Sequence, residues 1–189
     1  MMPAIIVESA TLHRDRRRAV RRLVAPLLPQ PPNIIVEQVG VIRNAYTIGV
    51  LPNGRRPSSY LNPEEVLVPT RVPNILMNYY ESWKQGGKAD EYYLDRAYMH
   101  IHLAAGSLPQ QIFSLHCDPS LHPSSGHFQY KRGPHVHVEG AKPNVSHAHI
   151  SLCLMDQNLG GADLPTLTLS FGQAVKMIAD ELLPCWERT

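Results

Sequence analysis

Apolar and polar positions along the chain follow two periods. From Leu12 to Val24 the apolar residues Leu12, Ala19, Val20, Leu23 and Val24 recur at helical intervals with arginines on the other side, and Pro26 and Pro29 close the segment. This predicts a basic amphipathic N-terminal helix over 12–25. Two β-rich runs, Asn33–Ile42 and Asn44–Leu51, break near Arg43-Asn44 and read as a hairpin. Residues 52–64 read as a loop, Glu65–Val68 as a short strand, and Ile75–Trp83 as a short helix ended by Gly86-Gly87. Strand patterns return at Tyr98–Leu103, Gln111–Cys117, His127–Tyr130, Pro134–Val138 and Ala148–Leu154, with a loop at 118–126. The last pattern, Ser170–Leu183, carries Phe171, Ala174, Val175, Ile178 and Leu182 on one side and predicts a helix stopped by Pro184. Helix, antiparallel strands and helix in that order predict an α+β fold, a sheet meander flanked by an N-terminal and a C-terminal helix. Residues 1–189 read as a single domain, with 52–97 as an insertion and 98–189 as the core carrying the candidate site.

Composition narrows the class. With 189 residues, 43% of them apolar, and a net charge of +2, the chain is long enough to bury a core and is neither disordered nor collagen-like. Seventeen prolines, about 9% against a usual ~5%, favour loops and short strands over long helices. No run approaches the ~18 apolar residues of a membrane span, and the start Met1-Met2-Pro3-Ala4-Ile5-Ile6-Val7-Glu8 is charged too early for a signal peptide. A cytoplasmic location without membrane partners is the expectation.

The mild total charge conceals a basic block. Arg14, Arg16, Arg17, Arg18, Arg21 and Arg22 with Asp15 make a local net charge of +5, which leaves −3 for the rest of the chain. The block is either a solvated outer helix face or a docking face, through Arg14, Arg17, Arg18 and Arg21, for an acidic partner or nucleic acid. No aromatic or Gly-Lys interleaving favours nucleic acid.

Ten histidines include three His-x-His pairs, His100/His102, His135/His137 and His147/His149. Residues two apart on a strand share a face, so each pair can present two imidazoles to one ligand. Two pairs on neighbouring strands, such as His135, His137, His147 and His149, would form a nitrogen cluster able to hold zinc or another divalent metal. A pair could instead act as general base and acid on a phosphodiester, as in a metal-independent ribonuclease. Alternation such as Met99-His100-Ile101-His102-Leu103 is also what any strand with one dry and one polar face produces.

Cys117, Cys153 and Cys185 are odd in number and form no C-x-x-C pair, which argues against a disulfide framework or a cysteine zinc site. Cys117 and Cys185 read as packing residues. Cys153 reads either as a buried strand cysteine or as a nucleophile, and its surroundings raise the second reading.

The stretch Tyr130-Lys131-Arg132-Gly133-Pro134-His135-Val136, then Lys142-Pro143-Asn144-Val145, then Leu152-Cys153-Leu154-Met155-Asp156, then Pro165-Thr166-Leu167-Thr168-Leu169, resembles the ubiquitin-conjugating enzymes in motif order. Lys142 stands where that family has the histidine of His-Pro-Asn. The resemblance implies a divergent, bacterial-type member with a conjugating-enzyme-like sheet and no cofactor. Its partners would be an activating enzyme and a ubiquitin-like protein, with a bacterial defence protein as acceptor. The implied transferase chemistry passes a carboxyl group to the Cys153 thiolate as a thioester, which an amine then attacks. Asn144 would stabilise the oxyanion, His147 or His149 would assist deprotonation, and Asp156 would orient the amine. Two alternatives stand beside it: a histidine-rich ribonuclease or metal-dependent toxin or defence protein, with zinc on the His-x-His strands, and an inactive conjugating-enzyme-like binding module.

Overall fold

The computed structural model describes residues 5–39, 44–53, 66–104, 108–119, 135–139, 147–151 and 164–186. Chain order is β1 (Ile6–Glu8), α1 (Ser9–Thr11), a π-helical stretch (Leu12–Arg16), α2 (Arg17–Val24), a 3-10 turn (Ala25–Leu27), β2 (Asn33–Val39) and β3 (Ala45–Leu51). There follow β4 (Val68–Pro69), β5 (Ile75–Gln85), β6 (Glu91–Leu103), β7 (Gln110–Cys117), β8 (His135–Glu139) and β9 (His147–Ser151). The chain closes with α3 (Leu164–Met177), a second π-helical stretch (Ile178–Leu182) and α4 (Leu183–Trp186).

The strands form one antiparallel sheet in the order β2-β3-β5-β6-β7-β8-β9, with β4 pairing the start of β5 and β1 the start of β6. One face of the sheet is apolar. The cross-strand row Tyr79, Met99, Leu115 and Val136 is buried, as is the neighbouring row Met77, Ile101 and Phe113. α2 and α3 pack together on this side, Leu12, Val20, Leu23 and Val24 from the first helical segment meeting Leu167, Phe171, Ala174 and Val175 from the second in one core. The ring of Phe171 meets Tyr79 edge-on at 6.2 Å. The mixed α+β class, the antiparallel sheet and the flanking helices follow the expectation from sequence.

Several elements differ from that expectation. Residues 75–85 form the long strand β5 rather than a helix at 75–83. Both faces of β5 are covered, Tyr79, Glu81 and Trp83 toward the helices and Asn78 and Tyr80 toward the opposite side, so its burial does not alternate. A strand dry on both faces loses the period of two, and its apolar run then mimics helical spacing. The segment 52–97, read as an insertion, supplies β5 and part of β6, which lie at the middle of the sheet, and its Tyr79, Trp83 and Tyr92 belong to the main core. The C-terminal helix starts at Leu164 instead of Ser170, and β4 covers Val68–Pro69. Cys117 is buried as expected, whereas Cys185 is exposed. The strand expected at 127–130 lies outside the described residues.

Arg16 departs furthest from its expected place. Counted with the solvated basic face, it is 1% exposed, and its guanidinium meets the Glu81 carboxylate, which is fully buried. Nε of Arg16 donates to Oε1 and Oε2 of Glu81 at 2.9 and 3.0 Å, and Nη2 donates to Oε1 at 2.6 Å. Nη1 donates to Thr168 Oγ1 at 2.6 Å, and Trp83 Nε1 donates to Glu81 Oε2 at 2.9 Å. Burial penalises the Arg16 charge, but the Glu81 carboxylate outweighs it and raises the arginine pKa. Burial and then Glu81 push the Tyr79 phenol well above its ordinary value, so it stays a donor to the carboxylate. This network joins the first helix, the centre of the sheet and α3.

Candidate metal centre

The alternation that turns Met99 and Ile101 toward the helices places Tyr98, His100 and His102 on the opposite face. Register then assembles that face from distant parts of the chain. One row runs Asn78, His100, Ser114, His137 across β5, β6, β7 and β8, and the adjacent row runs Tyr80, Tyr98, His116, His135. The backbone register continues to β9, with His149 opposite His137, Ser151 opposite His135 and His147 opposite Glu139.

Four histidines, His100, His116, His135 and His137, therefore converge. His116, His135 and His137 each offer one ring nitrogen to a common point, the three atoms lying within 4.8 Å of one another. The His116 and His137 rings are 4.3 Å apart and those of His135 and His137 4.8 Å. His100 Nε2 lies 2.9 Å from His116 Nε2. Tyr98 stacks on His116 with ring centroids 4.0 Å apart and planes 17° from parallel, and its hydroxyl donates to Asp118. Burial, then Asp118, raises the Tyr98 pKa, which keeps the phenol protonated. Arg96 sits 5.9 Å from the ring centres of both Tyr80 and Tyr98.

The site is buried at its base. His135 and Ser114 are fully buried and Asn78 is 2% exposed, whereas His100, His102, His116 and His137 are half-buried. The Ser114 hydroxyl and both ring nitrogens of His102 are buried without a hydrogen-bond partner. Burial, reinforced by the neighbouring His102, lowers the His100 pKa to about 4, and burial lowers that of His102. These rings are neutral near pH 7 and keep a lone pair.

That neutrality has a consequence for stability. The His100 pKa is lowered on folding from 6.5 to about 4, so between these values the unfolded chain binds more protons than the folded one. This contribution is present above about pH 6.5 and is lost as the pH falls toward 4. Urea denaturation of the metal-free protein is expected to show falling stability across that window, with a shallower fall in His100→Gln.

Three imidazole nitrogens within 4.8 Å of one another match the ligand set of a divalent metal with an open coordination position. Two nitrogens bound to a tetrahedral zinc lie about 3.3 Å apart for bonds of roughly 2.0–2.1 Å, so small side-chain rotations close the observed spread. His100 is poorly suited to act as a general acid, because with a pKa of about 4 it is neutral near pH 7.

The structure brings together His135 and His137 of the expected metal set with His116, which the sequence reading did not select. His147 and His149 are placed in β9 by backbone register only. Cys153, Asn144 and Asp156, the residues of the thioester reading, lie outside the described residues. Of the arginines assigned to partner docking, Arg14, Arg17, Arg18 and Arg21 are all exposed. Arg14 pairs with Asp15 at 3.0 Å, and Arg17 Nε donates to the Ile34 carbonyl at 2.9 Å. Their helix covers the apolar face of the sheet, opposite the histidines. The signal for His116 was its parity in Ser114-Leu115-His116-Cys117, where Leu115 and Cys117 are core and the even positions face the other way.

No family model matches the chain, and no curated protein or solved structure compared with it gives a significant match. No helix among the described residues is long and apolar enough to cross a membrane.

Proposed function

We propose that this protein is a divalent-metal-dependent hydrolase whose ion, of the zinc class, is held by His116, His135 and His137. The observation that carries this reading is the convergence of three ring nitrogens from β7 and β8 within 4.8 Å, over a buried base. Imidazole nitrogens, which bring no negative charge, would leave such an ion its full positive charge. Held by His116, His135 and His137, an ion of this class would supply Lewis-acid activation of water for attack on an ester.

The test is hydrolysis of a panel of phosphodiester, phosphomonoester and carboxylic ester substrates by the full chain. Activity is expected with zinc present, lost on chelation, restored by zinc, and absent in His137→Ala. Activity that survives complete metal removal would contradict the proposal.

A further inference from the structure

We propose that His116 binds the ion through Nδ1 and that His100 is the positioning residue that enforces this mode by accepting a hydrogen bond from His116 Nε2–H. The inference deepens the metal reading above and rests on it.

With no ion between them, two imidazole nitrogens 2.9 Å apart share a hydrogen bond, so one of the two Nε2 atoms carries the proton. Suppose it were His100. His116 would then accept at Nε2, its own proton would sit on Nδ1, and a neutral His116 ring would have no lone pair left for a metal. Only the opposite direction frees one: His116 donates from Nε2, keeps its lone pair on Nδ1, and His100 accepts at Nε2 with its proton on Nδ1.

The surroundings hold both rings in place. The Tyr98 ring lies flat against His116, and Tyr98 is itself tied to Asp118. The Asn78 side-chain carbonyl accepts from the His100 backbone N–H at 3.1 Å, at the position where the two residues pair across the sheet. Outer-shell partners of this kind fix the tautomer and ring angle of a ligand and raise its basicity.

Long-range proton–nitrogen NMR on the zinc-loaded, nitrogen-15-labelled full chain tests the assignment. Expected is a His116 ring with metal-bound Nδ1 and protonated Nε2, and a His100 ring protonated at Nδ1. His100→Ala is expected to weaken zinc binding by roughly 10–100-fold while keeping one ion per chain. His100→Gln, whose amide oxygen can accept the same hydrogen bond, should recover much of the loss, and His100→Leu should not. A His116 coordinated through Nε2, or zinc affinity unchanged in His100→Ala, overturns this proposal and leaves the metal reading standing. A wild-type chain that binds no zinc overturns both.

Discussion

Glu81→Ala is expected to lower the unfolding free energy by about 3–5 kcal/mol, the cost of leaving a buried charge without its counter-ion. Arg16 cannot shed its proton to escape, because arginine stays charged at any pH a protein survives. Its Nε and Nη2 bonds to Glu81 would be lost, and water cannot replace them at a site 1% exposed. The Trp83 indole and the Tyr79 hydroxyl would lose their acceptor in the same step. Against a total stability of about 5–15 kcal/mol for a domain, this is enough to unfold much of the population near physiological temperature. Arg16→Ala should cost a similar amount by orphaning the carboxylate. The double variant Arg16→Met/Glu81→Leu should be more stable than either alanine variant, since an apolar pair carries no desolvation debt. Urea denaturation of the wild type, the two alanine variants and Arg16→Ala/Glu81→Ala closes a double-mutant cycle. Additive losses in Arg16→Ala/Glu81→Ala would show that the pair is not coupled.

The second large effect concerns the ion. Zinc is expected to raise the midpoint of thermal unfolding, because a ligand bound only by the folded state adds about 4 kcal/mol at a free concentration 1,000 times its Kd. His116→Ala, His135→Ala and His137→Ala should each abolish that shift and weaken zinc binding by more than about 100-fold, beyond the roughly 10–100-fold range of outer-shell groups. Of the three, His135→Ala should also destabilise the metal-free protein, since the ring is fully buried. Cys153→Ser should leave zinc affinity unchanged. Calorimetric titration of the four variants checks both the ranking and the control.

Much of the framework is readable from residue order. Leu12, Val20, Leu23 and Val24 marked the first helix by their spacing, and the His-x-His pairs marked strands whose polar sides now face one another. Arg16 was legible in principle. It stands four residues after Leu12, four before Val20 and seven before Leu23, on the apolar stripe itself, but its charge disguised it as part of the basic face. β5 was not legible, because Tyr79, Tyr80 and Trp83 are buried on both sides of the sheet and periodicity does not separate such a strand from a buried helix. The candidate metal site lay between these cases. His135 and His137 could be named, whereas His116 joins them only through the register His116 to His135, a pairing that bridges residues 19 positions apart and that no local pattern encodes.

The most direct test of the central claim is X-ray absorption at the zinc edge on the stoichiometrically loaded full chain. The account predicts a first shell of nitrogen and oxygen scatterers at about 2.0–2.1 Å, with the outer-ring signature of about three imidazoles. A sulfur scatterer at about 2.3 Å, which would place a cysteine on the ion, or a shell of light atoms without imidazole signature, would contradict it.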